Sequence, residues 1–290
     1  MKAGFVAVLV SAIAVVGCGP TRGDPQASAE PTPGPVTSAD ATPDLEAGGQ
    51  VALPDGREVY VRCSGAGSPT VILEGGDLDT GASYAFAERT LAAVTRTCVY
   101  DRANLGSSDP APGPRQLSDL VGDLEGWIDA SGESGPFVLV GTSGGGYITA
   151  GYAVAHPDQV AGMVFVDVGA PFLDPPQEII DETRPDNPGN LERRDYLQVE
   201  KDAWAARRLV GDIPLTVISN RYSEDEIAEA AYPSERSGME TNVEAQQGWF
   251  VLSPRAEQVV VTTGHAVEEE DPQLVIDTIL DVVTAARANG

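Results

Sequence analysis

Basic residues are scarce in this chain: 18 Lys and Arg stand against 44 Asp and Glu, giving a formal charge of −26 and a pI near 4.2. Such a surface repels phosphate backbones, so no nucleic-acid partner is expected, and anionic substrates are disfavoured. Histidine is scarcer still, with two in 290 residues, and there are three cysteines. Neither type is numerous enough, or close enough together, to complete a metal shell. Nor is there a phosphate-binding loop, so neither a metal nor another cofactor is expected. The apolar run at 5–16 is too short to span a bilayer comfortably. What remains is ample apolar content, 42% of the residues, enough for one catalytic domain with appendages.

The first segment, MKAGFVAVLVSAIAVVGCGP, places Lys2 before that apolar run and ends at Cys18. This is the layout of an export signal. Val15-Val16-Gly17-Cys18 resembles the lipobox of bacterial lipoproteins, which implies a signal peptide over 1–17, a lipidated Cys18 and an extracytoplasmic membrane location. Several acyl chains would hold the protein without a transmembrane helix, at about 0.8 kcal/mol per buried methylene. The alternative is a secreted protein cleaved after Ala14. Residues 18–50 carry Pro25, Pro31, Pro33, Pro35 and Pro43 among small and acidic residues and read as a disordered linker. In an oxidising compartment the remaining cysteines, Cys63 and Cys98, are expected to form a disulfide. Such a bridge is worth roughly 4 kcal/mol in the chain-entropy model.

From 51 to 290 short β-branched runs alternate with helical patterns, as in an α/β protein whose mostly parallel central sheet is flanked by helices. The runs at 58–63, 70–74, 97–100, 137–140, 162–167, 215–219 and 258–262 read as strands. Leu120, Val121, Leu124, Trp127 and Ile128 recur at helical spacing, with Ser118 as the expected cap. Asp271-Pro272 opens a last helix that turns Val275, Ile276, Ile279, Leu280 and Val283 inward. Residues 169–212 break this rhythm with five prolines and a helical stretch near 197–209. They read as a cap, because they follow the carboxyl end of a strand, where open α/β sheets place their sites.

The chemistry concentrates at Gly141-Thr142-Ser143-Gly144-Gly145, a G-x-S-x-G between an apolar strand and a helix of small residues. A sharp turn there exposes the serine hydroxyl, and the glycines avoid side-chain clashes. That hydroxyl needs a base. His156 lies at the far end of the helix that Ser143 begins, about 20 Å away at a rise of about 1.5 Å per residue, and reads as a helix-end cap. His265 follows the last strand on a loop that can reach Ser143, which makes it the expected base.

With these residues the domain resembles the α/β-hydrolase superfamily, more narrowly its capped, esterase-like and dehalogenase-like members. The likeness includes Tyr100-Asp101-Arg102-Ala103-Asn104-Leu105-Gly106-Ser107-Ser108-Asp109, with Asn104 where glycine is usual. The resemblance implies a third residue, a carboxylate that orients the histidine. Members commonly carry it just after the strand that here is 215–219, yet that place reads Asn220-Arg221-Tyr222-Ser223, and Glu224 and Asp225 arrive a few residues late. Dehalogenase-like members carry theirs in a frame matching Asp167, which is preferred, with Asp225 or Glu224 as alternatives. The oxyanion hole is expected from the N–H groups of Gly144 and Asp77, with Gly76 in place of Asp77 as the alternative.

The resulting expectation is a monomeric serine hydrolase acting on a small-molecule acyl substrate through an acyl-enzyme. A serine, where dehalogenases and epoxide hydrolases carry aspartate, argues against those two activities. Peptidase, thioesterase or acyltransferase action on the same three residues remains open, as does an inactive binding lipoprotein on the same scaffold. The few large apolar residues in 169–212 weigh against a lipase of long-chain fats.

Overall fold

Strands apolar on both faces require covering helices above and below the sheet. The computed structural model, which describes residues 45–172 and 174–289, has that three-layer form. Its strands are β1 (Gly49–Ala52), β2 (Glu58–Ser64), β3 (Thr70–Glu74), β4 (Thr97–Tyr100), β5 (Phe137–Thr142), β6 (Val160–Val166), β7 (Pro214–Asn220) and β8 (Arg255–Val261). They form one sheet in the order β1-β2-β4-β3-β5-β6-β7-β8, with β2 antiparallel to β1 and β4 and every later pair parallel. The helices are α1 (Ala85–Ala92), α2 (Leu117–Ser131), α3 (Gly144–Ala155), α4 (Gln177–Thr183), α5 (Tyr196–Ala206), α6 (Glu224–Glu229), α7 (Pro233–Gln246), α8 (Val267–Glu270) and α9 (Pro272–Arg287).

Strand alternation sends successive residues into two cores. Phe137 and Leu139 of β5 join Trp127 of α2, Ile148 of α3 and Val199 of α5 on one face. Val138 and Val140 join Leu91 of α1 and Val275 and Ile279 of α9 on the other. Each fully buried side chain of this size contributes roughly 1.5–3 kcal/mol. This makes β5, buried throughout, the rigid base from which Ser143 projects. Cys63 and Cys98 are register partners across β2 and β4 and are bridged.

Several expectations are corrected. The folded unit starts ahead of residue 51: β1 begins at Gly49, Glu46 N–H donates to Ser64 Oγ at 3.0 Å, and Gln50 Nε2 donates to Ser107 O at 2.7 Å. The signal segment, Cys18 and the linker as far as residue 44 lie outside the described residues. The cap of α2 is Gln116, paired with Asp119 in a reciprocal box, because the helix starts one residue before Ser118. Asp271 caps α9 as expected, accepting from Leu274 N–H at 3.1 Å. His156 is the C-cap of α3 as expected, its backbone N–H donating to Tyr152 O at 2.8 Å and its ring lying 4.7 Å from that of Tyr152.

Candidate active site

A parallel sheet delivers its strand ends to one edge, so residues just beyond β5, β6, β7 and β8 become neighbours. Thr142 and Val166 are register partners, which puts Ser143 beside Asp167. Their backbones continue the pairing, Ser143 N–H donating to Val166 O at 2.9 Å and Asp167 N–H to Ile218 O at 2.8 Å. Ser143 then turns sharply, at φ 46° and ψ −123°, a conformation that costs on the order of 1–3 kcal/mol in a non-glycine residue. The neighbours permit it: a Cβ at Gly141 would lie 2.5 Å from Gly146 Cα, and one at Gly145 would meet the Glu74 and Gly75 carbonyl oxygens.

The hydroxyl of Ser143 lies 2.9 Å from His265 Nε2, and His265 Nδ1 lies 2.7 Å from Asp167 Oδ2. A carboxylate only accepts, so the proton sits on Nδ1 and leaves Nε2 free to take one from Ser143. The Asp167 hydrogen bond and charge outweigh burial and raise the pKa of His265 above its ordinary value. Asp167, 2% exposed, is held through its other oxygen by Asn220 N–H at 3.0 Å, Asn242 Nδ2 at 2.9 Å and Gln246 Nε2 at 2.6 Å. Ser219 Oγ, 2.8 Å from Gln246 Oε1, fixes which way that amide faces.

Asn220, the last residue of β7, supports the Asp167–His265 pair where the family commonly places an acid just beyond. Its backbone N–H serves Asp167, and its side-chain oxygen accepts Gly264 N–H at 3.0 Å, pinning the loop that carries His265. Glu224 and Asp225 start the exposed helix α6, and neither contacts His265 among the described residues. They are set aside as the histidine's partner.

On the other side of Ser143, the loop after β3 approaches closely: a Cβ on Gly76 would lie 3.6 Å from Ser143 Cβ. The N–H of Gly76 is engaged by Asp79 Oδ2 at 3.1 Å and that of Leu78 by Glu192 Oε1 at 2.7 Å. Between them, the N–H of Asp77 has no such partner among the described residues. Gly76 is therefore set aside as the alternative donor, which leaves the N–H groups of Asp77 and Gly144 as the candidate pair for an oxyanion. Arg102 braces the loop, donating to Gly75 O at 2.7 Å, Gly76 O at 2.6 Å and Glu74 Oε1 at 2.7 Å. Asn104 takes the left-handed turn at φ 71° that glycine would otherwise serve, and its side chain accepts Ala111 N–H at 3.0 Å.

A cavity of about 940 Å³ opens over Ser143, walled by Tyr147, Phe172, Trp204 and Tyr222. Residues 169–172, Asp174, Glu200 and Trp204 bring the inserted segment onto it, and residues of α7 line it as well. Burial, with Asp77 nearby, pushes the Glu200 carboxyl up to about 7. Asn242, Gln246, Glu192 and Arg194 were not singled out by sequence reasoning. The sole signal for the two amides was their spacing of four on a helix, which puts them on one face.

Residues 69–221 match the family described as "alpha/beta hydrolase fold", and the chain belongs to that family. Membership supports a hydrolytic function. A Schizosaccharomyces pombe protein of uncharacterised function is 36% identical over 80 residues, 28% of this chain, which spans only 15% of that protein's length. Among solved structures, an enol-lactonase from Burkholderia xenovorans is similar at 17% identity and TM-score 0.61, covering 81% of this chain and 100% of its own. A thermophilic esterase from Thermogutta terrifontis is similar at 18% identity and TM-score 0.57, covering 83% and 99%. At those identities the likeness is one of fold.

Proposed function

We propose that the protein is a serine hydrolase that cleaves an ester-type acyl bond, with Ser143 as nucleophile, His265 as base and Asp167 as the orienting acid. The observation that carries this reading is the continuous hydrogen-bonded line from Ser143 Oγ through His265 to Asp167, at 2.9 and 2.7 Å. Ser143 Oγ attacks the carbonyl carbon while His265 Nε2 takes its proton, and the N–H groups of Gly144 and Asp77 receive the oxyanion. Collapse expels the alcohol, protonated by His265. Water, deprotonated by the same ring, then releases the acid and restores Ser143.

A fluorophosphonate probe is expected to label the protein and to fail on Ser143→Ala, and the same variant is expected to lose turnover of p-nitrophenyl acetate. Equal labelling of both would sink the reading. From the sequence alone we also propose lipidation at Cys18. Cys18→Ser should move the protein expressed in bacteria from the detergent phase to the aqueous phase on Triton X-114 partitioning.

A further inference from the structure

An acidic residue in the oxyanion loop is an electrostatic liability, and its environment suggests how it is tolerated. The Asp77 carboxylate, 39% exposed, lines the cavity beside Ser143, and its Oδ1 pairs with Nη2 of Arg194. Both groups press on Gly144: a Cβ there would collide with the carboxylate and lie 2.5 Å from Arg194 Nη2. The Arg194 side chain is completely buried, and its Nε and Nη1 find no hydrogen-bond partner among the described residues. Nη1 comes no closer than 3.8 Å to Glu192 Oε2, while the guanidinium stacks 4.4 Å from the centre of the Tyr196 ring. Burial opposes its charge, but Asp77 and Glu192 hold its pKa above the ordinary value, so it stays a cation. A cation buried with two idle donors is a poor way to stabilise a fold, since well-packed apolar groups commonly do as well or better. Its one close ion pair among the described residues is with the acid beside the oxyanion donors.

We propose that Arg194 is a positioning residue for acyl transfer at Ser143, cancelling the Asp77 carboxylate so that an acid-bearing residue can still offer its N–H to the oxyanion. The proposal rests on the reading of Ser143 as the acyl-transfer nucleophile. A tetrahedral intermediate places a full negative charge next to Gly144 and Asp77, whereas a bound ester is neutral. An uncompensated carboxylate therefore raises the transition state more than the bound substrate, and the effect falls on kcat with little change in KM.

The test compares kcat, KM and melting temperature for wild type, Arg194→Met, Arg194→Lys, Asp77→Asn and Asp77→Asn/Arg194→Met on p-nitrophenyl acetate. Arg194→Met should lower kcat about 10- to 100-fold and move KM less than about threefold. Arg194→Lys, which keeps the charge, should lose less. The decisive result is coupling: in the Asp77→Asn background the Met substitution should cost less than about fivefold, because no carboxylate remains to be cancelled. Should Arg194→Met fail to fold, the comparison of Asp77→Asn with its Met double variant, and of wild type with Arg194→Lys, decides the same question. An equal loss in both backgrounds, or a loss confined to KM or to melting temperature, would overturn the proposal. Wild-type turnover that survives Ser143→Ala would sink the functional reading and this proposal together. Turnover that requires Ser143, but without coupling between Arg194 and Asp77, would sink this proposal alone.

Discussion

The two flanks of Ser143 are held by opposite kinds of chemistry. On the acid flank, Asp167 is gripped by neutral donors, the Asn220 backbone and the amides of Asn242 and Gln246, with no Lys or Arg bonded to it among the described residues. On the oxyanion flank, the loop is clamped by buried ions: Glu74, Arg102, Glu192 and Arg194. The difference follows from what each flank must do. In the proposed mechanism an acid must face the imidazolium that forms on His265, and amides steady a carboxylate without neutralising it. The oxyanion loop carries no charge that the reaction consumes, so ions can fix it, provided that they balance.

Removing a charge from each flank should therefore fail in different ways. The largest effect is expected on the acid flank: Asp167→Asn should lower kcat on the order of 10⁴-fold, because the amide favours the wrong imidazole tautomer, while the fold remains intact. Steady-state kinetics together with a melting curve checks this, and a loss of under tenfold would break the comparison. On the oxyanion flank, Glu192→Gln should act first on stability. Burial pushes the Glu192 carboxyl up, but Arg102 and Arg194 together hold it down to about 2. Its contribution is thus present above the ordinary carboxylate range and lost as pH falls through about 2. Neutralising it leaves Arg102 and Arg194 short of a counter-charge, at about 3–5 kcal/mol by urea unfolding. A smaller effect is expected from Gln246→Leu, which keeps the volume and removes one donor from a charged acceptor. A bond of that kind is worth about 1.5–3 kcal/mol, so kcat should fall about 10- to 150-fold if all of it is felt in the transition state.

How legible these flanks were in the sequence depends on how local each signal is. Ser143 and its glycines are contiguous, and His265 stands on the turn after a readable strand, so both could be named from spacing. Asp167 was reachable through the resemblance to dehalogenase-like members, because Val164-Phe165-Val166-Asp167 is itself a strand end. Its supporting amides were not, since Asn242 and Gln246 sit 75 and 79 residues away in a helix that otherwise reads as a solvated face. Glu192 and Arg194 fall in a run, Glu192-Arg193-Arg194-Asp195, that looks like exposed charge. They are buried only because Arg102 and Asp77, from distant elements, supply their partners. β1 escaped notice because Gly49-Gln50-Val51-Ala52 has little β propensity, and pairing with β2 decides its conformation.

The smallest effect offers the finest comparison, because one proton governs both activity and stability at His265. The base works only when neutral, so kcat/KM should rise with pH along a limb set by a pKa above the ordinary histidine value of about 6.5. For stability the sign reverses. A histidine whose folded pKa exceeds its unfolded one stabilises fully below the unfolded value, and that contribution disappears as pH rises through the folded pKa. Between those two values activity should therefore climb while melting temperature slips. The slip should be slight, since the ring is 54% exposed and solvent screens its pairing with Asp167. His265→Gln should abolish that slope in melting temperature, and Asp167→Asn should bring the residual activity limb down in pH. If the Asp167→Asn limb stayed where the wild-type limb lies, the Asp167 hydrogen bond would not be what raises the histidine.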